Sequence, residues 1–270
     1  MKRTAYFISD GTGITAETLG DALLSQFDGF DYRKVRLPYI DSAAKVEMAI
    51  EQINRTAEIE GVRPIVLDSI VDEAIRARLG EANALRFDVF GTFLAPLESE
   101  LGIPSSKRSG RFHTVNNRQY LTRIDAMNFA LNNDDGATGS EYANADIILT
   151  GVSRSGKTPS CVYLAMQFGV FAANYPITED DLETSRLPAS LQKYRSKLYG
   201  LTINPEHLAA IREERRPGSR YASVRQCEDE VRQVEGLFDR NHIPYLNATH
   251  MSVEEIATRI MMEKNIAGRK

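Results

Sequence analysis

The sequence predicts an α/β protein with two parallel-sheet domains, and three observations carry that prediction. Short apolar segments alternate with helical patterns from Ala5 to Phe90, as in a parallel α/β layer. A further strand–loop–helix pattern spans Ala145 to Gly169. Between them, Leu101–Gly110 is rich in Gly, Ser and Pro, a composition typical of a linker. We therefore expect an N-terminal parallel α/β domain at residues 1–104 and a second α/β domain at 105–270.

In the N-terminal domain, periodicity predicts four strands separated by helices. The strands are expected at Ala5–Ser9, Val35–Ile40, Pro64–Asp68 and Leu85–Phe90. Helices are expected from Thr15, from a Ser42 cap to Gly61, and up to Leu79. The turn Asp10–Gly13 lies where such sheets bind phosphates, but it lacks the third glycine of the dinucleotide fingerprint. A tight strand-to-helix turn is the first interpretation, and a second anion or partner site is the alternative.

In the second domain, the same patterns continue to the end of the chain. Strands are expected at Val170–Tyr175, Lys197–Ile203 and Ile243–Leu246, and helices at Gln119–Leu131, Pro205–Arg216, Arg225–Phe238 and from the capping box Ser252–Glu255. On the helix from Pro205, Leu208 and Ile211 are expected inward and Arg212, Arg215 and Arg216 outward. Arg215, Arg216 and Arg220 then form a solvated face, or else they clamp a phosphate or an acidic partner.

The most informative stretch is the glycine-rich loop between a predicted strand and helix. Its eight residues are Gly151, Val152, Ser153, Arg154, Ser155, Gly156, Lys157 and Thr158. The glycines let the backbone turn tightly and approach a phosphate, which the loop N–H groups and the helix N-terminus then face. Lys157 supplies a charge for phosphate oxygens, and Thr158 offers a hydroxyl to Mg²⁺. This spacing predicts a phosphate-binding P-loop; the alternative is a plain strand-to-helix turn with an exposed lysine.

Two acidic turns supply candidate carboxylates. Asn132–Gly136 follows a predicted helix and contains Asp134 and Asp135. It is either a polar helix-ending turn or a carboxylate pair near the P-loop, with one member holding magnesium or acting as a base. Pro176–Leu182 is either a helix start with acids on the dipole or a second source of such a carboxylate, Asp181. We rank Asp135 before Asp181 as the general base and place Asp134 with Thr158 as metal ligands.

Composition excludes several classes of function. The net charge of −4 gives no global attraction to nucleic acid or an anionic membrane, and no apolar run approaches membrane-spanning length. The apolar stretch within Met1–Asp10 is too short for a signal peptide. Cys161 and Cys227 show no metal or redox spacing, which favours a reducing, cytoplasmic location. None of the four histidines pairs with another at ligand spacing, so a zinc site is not expected.

Five segments together resemble one family. They are Ile8–Glu17, Gly151–Pro159, Lys197–Ile203, Ser219–Ser223 and Pro244–Ala257. They are similar to the matching segments of bacterial phosphoenolpyruvate synthetase regulatory proteins, whose plant relatives regulate pyruvate, phosphate dikinase. The resemblance covers essentially the whole chain, and the opening Asp-Gly-Thr-Gly looks like the synthetase branch.

This resemblance implies a P-loop kinase-like domain with two activities. The family phosphorylates a threonine of its target with ADP, not ATP, and this phosphorylation inactivates the target. It also removes that phosphate by transfer to inorganic phosphate, which forms pyrophosphate. By the family match, Gly151–Thr158 is the ADP-binding loop and Asp134–Gly136 is the family's acidic turn. Asn133 stands where many relatives are expected to have histidine, and this departure weakens any role for a histidine there.

The resulting interpretation is a bifunctional serine/threonine kinase and phosphotransferase. Its partners are phosphoenolpyruvate synthetase and inorganic phosphate, with ADP as substrate and Mg²⁺ as the expected cation. Sequence alone leaves two alternatives: a small-molecule kinase that uses ATP, and a nucleotide-sensing regulator without chemistry. The target threonine, the metal requirement and the oligomeric state, a homodimer included, stay open.

Overall fold

The computed structural model describes residues 3–106, 117–136, 141–183 and 186–268. The chain divides into two compact units, residues 1–115 and 116–270, and each is built on a four-stranded parallel sheet. The predicted α/β fold class is therefore confirmed. The predicted linker runs into residues 107–116, which lie outside the described residues, so a boundary between residues 104 and 105 stays a prediction.

The first unit is an open sheet with strand order β2-β1-β3-β4, all parallel. Its strands are β1 (Arg3–Ile8), β2 (Tyr32–Leu37), β3 (Ile65–Asp68) and β4 (Leu85–Asp88). Its helices are α1 (Ile14–Leu24), α2 (Ala43–Glu60), α3 (Glu73–Leu79) and α4 (Val89–Leu101). Tyr6 and Ile8 of β1 pack beneath α2 and α3, whereas Ala5 and Phe7 pack on the side of α1. Burial on both faces explains why β1 reads as a continuous apolar run.

The predicted fourth strand is two residues too long, because Asp88 begins a helix. The Asp88 carboxylate accepts a hydrogen bond of 2.7 Å from the N–H of Gly91, which caps α4. Sequence analysis did not predict α4. This helix contains Pro96, and Val89 is the residue of it that is buried.

The polar groups of the turn Asp10–Gly13 form hydrogen bonds within the turn and to the loop that follows β3. The hydroxyl of Ser9 accepts from the N–H of Gly11 at 3.0 Å, and the Asp10 carboxylate accepts from the N–H of Val71 at 2.9 Å. Gly13 adopts φ 82°, in the left-handed region that glycine favours. These contacts favour the interpretation of a tight strand-to-helix turn.

The second unit has strand order β6-β5-β7-β8, again parallel throughout. Its strands are β5 (Ile147–Gly151), β6 (Ala172–Pro176), β7 (Leu198–Thr202) and β8 (Tyr245–Asn247). Its helices are α5 (Asn117–Asn132), α6 (Lys157–Phe168), α7 (Glu179–Glu183), α8 (Ala189–Gln192), α9 (Pro205–Arg215), α10 (Val224–Asn241) and α11 (Val253–Glu263). The strand order reverses between β5 and β7. Ligands of open α/β sheets bind in the crevice at such a point, beyond the carboxyl ends of the strands.

Helices cover both faces of the second sheet. Ile148 of β5 belongs to the core that includes α9 and α10, and Ile147 and Leu149 belong to the core that includes α5, α6 and α11. All five residues of β5 are buried, as expected for a central parallel strand. Among the helices of the described residues, none is both long and apolar enough to cross a bilayer.

The predicted orientation of α9 is wrong at one position. Leu208 is buried as expected, but Arg212 is 0% exposed rather than outward. Arg212 follows Leu208 by four residues and therefore lies on the same helix face. Its buried charge is paired with Glu230 of α10, at 2.8 Å between Nη2 and Oε2. The sequence analysis placed Arg212 outward because its side chain is charged. It could not detect the partner carboxylate, which lies on another helix.

The capping box of α11 generates a prediction on stability. The Ser252 hydroxyl accepts from the N–H of Glu255 at 3.2 Å, while the Ser252 N–H donates to the Glu255 carboxylate at 2.7 Å. Ser252→Ala should lower the free energy of unfolding by about 1 kcal/mol in urea denaturation. Ser42→Ala is the matched control, since Ser42 begins α2 without a side-chain capping bond. An equal loss of unfolding free energy in Ser252→Ala and Ser42→Ala would contradict a stabilising role of the Ser252 capping box.

Candidate functional site

The glycine-rich loop joins the carboxyl end of β5 to the start of α6, and two glycines make its path possible. A Cβ at Gly151 would lie 2.1 Å from the carbonyl oxygen of Leu201, and Gly151 has φ 150°. Gly156 has φ 89°, in the left-handed region. Arg154 shares that region with φ 77°, although it carries a side chain. The backbone therefore folds here as a compact loop against β7, with the N–H groups of the first turn of α6 free of helical partners.

Lys157 is the first residue of α6, and its charge lies inside the loop. The side chain is buried, and Nζ donates a hydrogen bond of 2.7 Å to the carbonyl oxygen of Val152. Burial lowers the pKa of Lys157 to about 8, although the charge of Asp135 acts in the opposite direction. An anion in the loop would offset the cost of burying this charge and would favour the protonated lysine.

Thr158 and Asp134, the two predicted metal ligands, are in direct contact. The Thr158 hydroxyl donates to the Asp134 carboxylate at 2.8 Å. Asn174 of β6 donates to Asp134 and, at 3.1 Å, to the Thr158 hydroxyl. The buried Oδ1 of Asn174 has no hydrogen-bond partner within the described residues. Sequence analysis missed Asn174; the available signal was an asparagine inside an otherwise apolar strand.

This group of oxygen atoms fits Mg²⁺ in its chemistry. Hydroxyl and carboxylate oxygens are hard ligands of the type that Mg²⁺ prefers, and Mg²⁺ at phosphate sites completes its shell with phosphate oxygens and water. Within the ranges that the structure describes, no cluster of three or more His, Cys, Asp or Glu side chains could hold a metal ion by protein ligands alone. Asp134 and Thr158 would therefore hold the cation together with a phosphate ligand.

Asp135 faces the same loop. It lies in the 3₁₀ turn Asp134–Gly136 with φ 51°, a left-handed conformation that aspartate tolerates better than most residues. A pocket of about 290 Å³ lies in front of the loop, and its lining includes Asp135, Arg154, Gly156, Lys157, Thr158 and Arg215. The structure thus brings together the first-ranked carboxylate and the loop cation. Three cationic side chains against one carboxylate suit a multiply charged anion.

Asp181, the second-ranked carboxylate, is placed differently. It is not among the residues that line the pocket. Its carboxylate accepts hydrogen bonds from the Tyr175 hydroxyl at 3.1 Å and from the N–H of Thr178 at 3.0 Å. These contacts stabilise the start of α7, which is the structural interpretation of this acidic turn.

The three arginines considered as a phosphate clamp, Arg215, Arg216 and Arg220, differ in their surroundings. Arg215 lines the pocket. Arg216 is the C-cap residue that follows α9, and Arg220 donates to the Gln226 side chain at 3.3 Å. Of these three residues, Arg215 is the one positioned to meet a phosphate.

Asn133 has a structural position where histidine was expected from the family. It is fully buried, and its amide donates to the carbonyl oxygen of Phe129 at 2.9 Å and to Glu141 at 3.3 Å. The main-chain carbonyl oxygen of Asn133 accepts a hydrogen bond from the main-chain N–H of Asn174 at 3.1 Å. Asn133 therefore ties the end of α5 to β6, and this holds the following Asp134–Gly136 turn beside the loop.

A larger cavity of about 820 Å³ lies in the first unit, among side chains of α1, the turn after α1, β3 and β4 that include Leu23, Phe27 and Phe87. Its lining is mainly apolar, and Arg3, Gln26 and Asp28 are its polar members. Of the three predicted catalytic residues, Lys157 and Asp135 line the smaller, charged pocket of the second unit.

Comparison with known proteins identifies the family of the chain. The model of the family described as "Kinase/pyrophosphorylase" matches residues 5–261. A protein of Pseudomonas putida is 57% identical over 270 residues, which cover 100% of this chain and 99% of the relative. Proteins of Pseudomonas savastanoi pv. phaseolicola and Stutzerimonas stutzeri are 56% identical with the same coverage. All three relatives bear the name "Putative phosphoenolpyruvate synthase regulatory protein". A chain matched over this length, with its charged pocket at the glycine-rich loop, belongs to the kinase/pyrophosphorylase family.

Proposed function

We propose that this protein is a bifunctional regulator of phosphoenolpyruvate synthetase. It phosphorylates a threonine of that enzyme with ADP, and it removes the phosphate by transfer to inorganic phosphate, releasing pyrophosphate. One observation supports the proposal: a carboxylate, a buried lysine and a threonine lie together at one pocket beside the glycine-rich loop, in a chain whose family is kinase/pyrophosphorylase. The name of the relatives supports the choice of target.

The loop is proposed to bind the β-phosphate of ADP. Its N–H groups and the start of α6 attract the anion, and Lys157 adds a charge that stays with the phosphoryl group during transfer. Arg215 approaches the pocket from α9 and contributes a second cation. Mg²⁺, held by Thr158 and Asp134, would supply further neutralisation of the phosphate oxygens.

Asp135 is proposed as the general base. A threonine hydroxyl must lose its proton as it attacks phosphorus, and a nearby carboxylate accepts that proton in protein kinases. Asp135 shares the pocket with Lys157, so the base and the phosphoryl group would lie on the same side of the loop. In the dephosphorylation, the protonated carboxyl group would give its proton to the leaving threonine oxygen, and the proton that the attacking hydrogen phosphate releases would balance it.

Both reactions are proposed to use this one site. In the forward reaction the phosphoryl group passes from AMP, as the leaving group, to threonine. In the reverse reaction it passes from threonine to an oxygen of inorganic phosphate, and pyrophosphate forms. In-line transfer places the incoming phosphate where the AMP phosphate lay. A single loop suits either anion, because its N–H groups recognise phosphate oxygens rather than the rest of the molecule.

The first test follows label from β-labelled ADP to the target threonine. Label transfer separates the proposal from an ATP-dependent small-molecule kinase and from a regulator without chemistry. Lys157→Ala should slow transfer about a thousandfold, since a lysine that makes more than one charge-assisted bond contributes about 4 kcal/mol. Lys197→Ala is the matched control: its Nζ also donates to a carbonyl oxygen, that of Ala143, at 2.7 Å, but outside the pocket. Activity of Lys157→Ala within tenfold of wild type would overturn the P-loop assignment.

The second test ranks the carboxylates. Asp135→Asn keeps the shape of the side chain and removes the base, so both directions should slow by about a hundredfold or more. Asp181→Asn should retain activity and lose some thermal stability, because Asp181 holds the start of α7. Rates of label transfer and melting temperatures of both variants decide the matter. Full activity in Asp135→Asn with loss in Asp181→Asn would reverse the ranking.

The third test asks whether the two reactions share one anion position. AMP should inhibit dephosphorylation competitively against inorganic phosphate, because both would occupy the same place beside the loop. Steady-state rates on phosphorylated target, with AMP and phosphate both varied, give the inhibition pattern. Noncompetitive inhibition would indicate two sites, as would a folded Gly11 or Gly13 variant that loses only the dephosphorylation.

A further inference from the structure

Arg212 connects three segments of the second unit from a fully buried position. Its guanidinium makes two parallel bonds to Glu230 of α10, at 2.8 Å from Nη2 to Oε2 and 3.2 Å from Nη1 to Oε1. Nη1 also donates to the carbonyl oxygen of Tyr221 at 3.1 Å, and Nη2 donates to the carbonyl oxygen of Ser153 at 3.2 Å. Ser153 belongs to the glycine-rich loop, so this cluster reaches the phosphate site without lining it.

Stability alone does not account for this arrangement. Burial by itself disfavours the charge of Arg212, but the hydrogen bond and charge of Glu230 outweigh it, and the pKa of Arg212 is raised. A buried ion pair gives little net stability over apolar side chains of the same volume. It does fix geometry, because the planar guanidinium holds its acceptors in set directions.

A second group holds the same loop residue. The Tyr221 hydroxyl donates to the Ser153 hydroxyl oxygen at 3.1 Å, and the Tyr221 ring lies 4.0 Å from Cζ of Arg212. Both the main chain and the side chain of Ser153 are therefore anchored. The next residue, Arg154, has φ 77°, a conformation that a residue with a side chain adopts at an energetic cost and that its surroundings must hold.

The bond to the Ser153 carbonyl also orients the peptide that follows it. In a trans peptide the C=O of Ser153 and the N–H of Arg154 point in opposite directions. Drawing the carbonyl oxygen toward Arg212 turns that N–H away from Arg212. The cluster thus sets the direction of a loop N–H, the type of group through which a P-loop recognises phosphate.

We infer that Arg212, together with Glu230 and Tyr221, is a positioning group that holds the Ser153–Arg154 turn in its anion-binding shape. The three residues act through the loop and do not contact the substrate. The identity of the anion, ADP or inorganic phosphate, rests on the proposed function; the mechanical role of the cluster does not.

The test uses two variants of the full chain and one matched control. Tyr221→Phe removes the bond to the Ser153 hydroxyl and keeps the ring beside Arg212. Arg212→Lys keeps the charge and loses the forked geometry. Arg86→Lys is the control, since Arg86 forms a similar fork, at 2.7 and 3.1 Å, with the buried carboxylate of Asp68 in the first unit. Hydrogen exchange of peptides covering residues 152–157, calorimetric binding of ADP, and kcat and KM are measured for each protein.

The loop amides of Tyr221→Phe and Arg212→Lys should exchange about fivefold faster or more, the effect of losing one hydrogen bond. The Kd and KM for ADP should rise by a similar factor, with a smaller change in kcat. Arg86→Lys should leave loop exchange and ADP binding within twofold of wild type, although its melting temperature falls.

Two results would overturn the inference: unchanged loop exchange in Tyr221→Phe, or an equal rise in the Arg86→Lys control. Tyr221→Phe decides the question even if Arg212→Lys does not fold. If the wild-type protein does not bind ADP, the proposed function is contradicted. The hydrogen-exchange data would still test the positioning role of Arg212, Glu230 and Tyr221.

Discussion

The candidate site depends on one close approach between two parallel strands. Gly151 ends β5 with its backbone against the carbonyl oxygen of Leu201, where a Cβ would lie 2.1 Å away. The absence of a side chain at Gly151 therefore lets β5 stay close to β7 up to its last residue and continue directly into the loop. The N-terminus of α6, and with it Lys157, points to the crevice where the strand order reverses. The pocket, the buried lysine and the Thr158–Asp134 contact all follow from this junction.

Two buried cations flank the loop, and the structure treats them differently. Arg212 is neutralised by Glu230 in a fork, so its charge has a permanent partner. Lys157 donates to a neutral carbonyl oxygen, and burial lowers its pKa, with the charge of Arg212 adding to that effect. One cation is thus committed to shaping the loop, while the other keeps a charge that an anionic ligand would stabilise. A preorganised site of this type would need little rearrangement to bind an anion.

With the exception of α4, sequence analysis found the main elements whose signal is local, and it missed side-chain positions that are set by partners distant in sequence. Signals from neighbouring residues predicted the alternating strands and helices, the glycine-rich loop and the Ser252 capping box. The structure contains all of these features. Arg212 was assigned to solvent because its partner Glu230 lies on another helix. Asn174 was missed for the same reason, since its importance arises only where β6 meets the turn after α5.

The two units show that architecture alone does not make a site. Both sheets have the same strand order, and in both a glycine-containing turn follows the strand that is first in sequence. At the end of β1, however, the turn's own side chains satisfy nearby N–H groups: Ser9 accepts from Gly11, and Asp10 accepts from Val71. A carboxylate also places negative charge where an anion would bind. At the end of β5, the corresponding turn presents Lys157 and a helix start. The chemical difference between the ends of these two similar sheets therefore lies in a few side chains, which decide whether backbone N–H groups are used internally or remain available to a ligand.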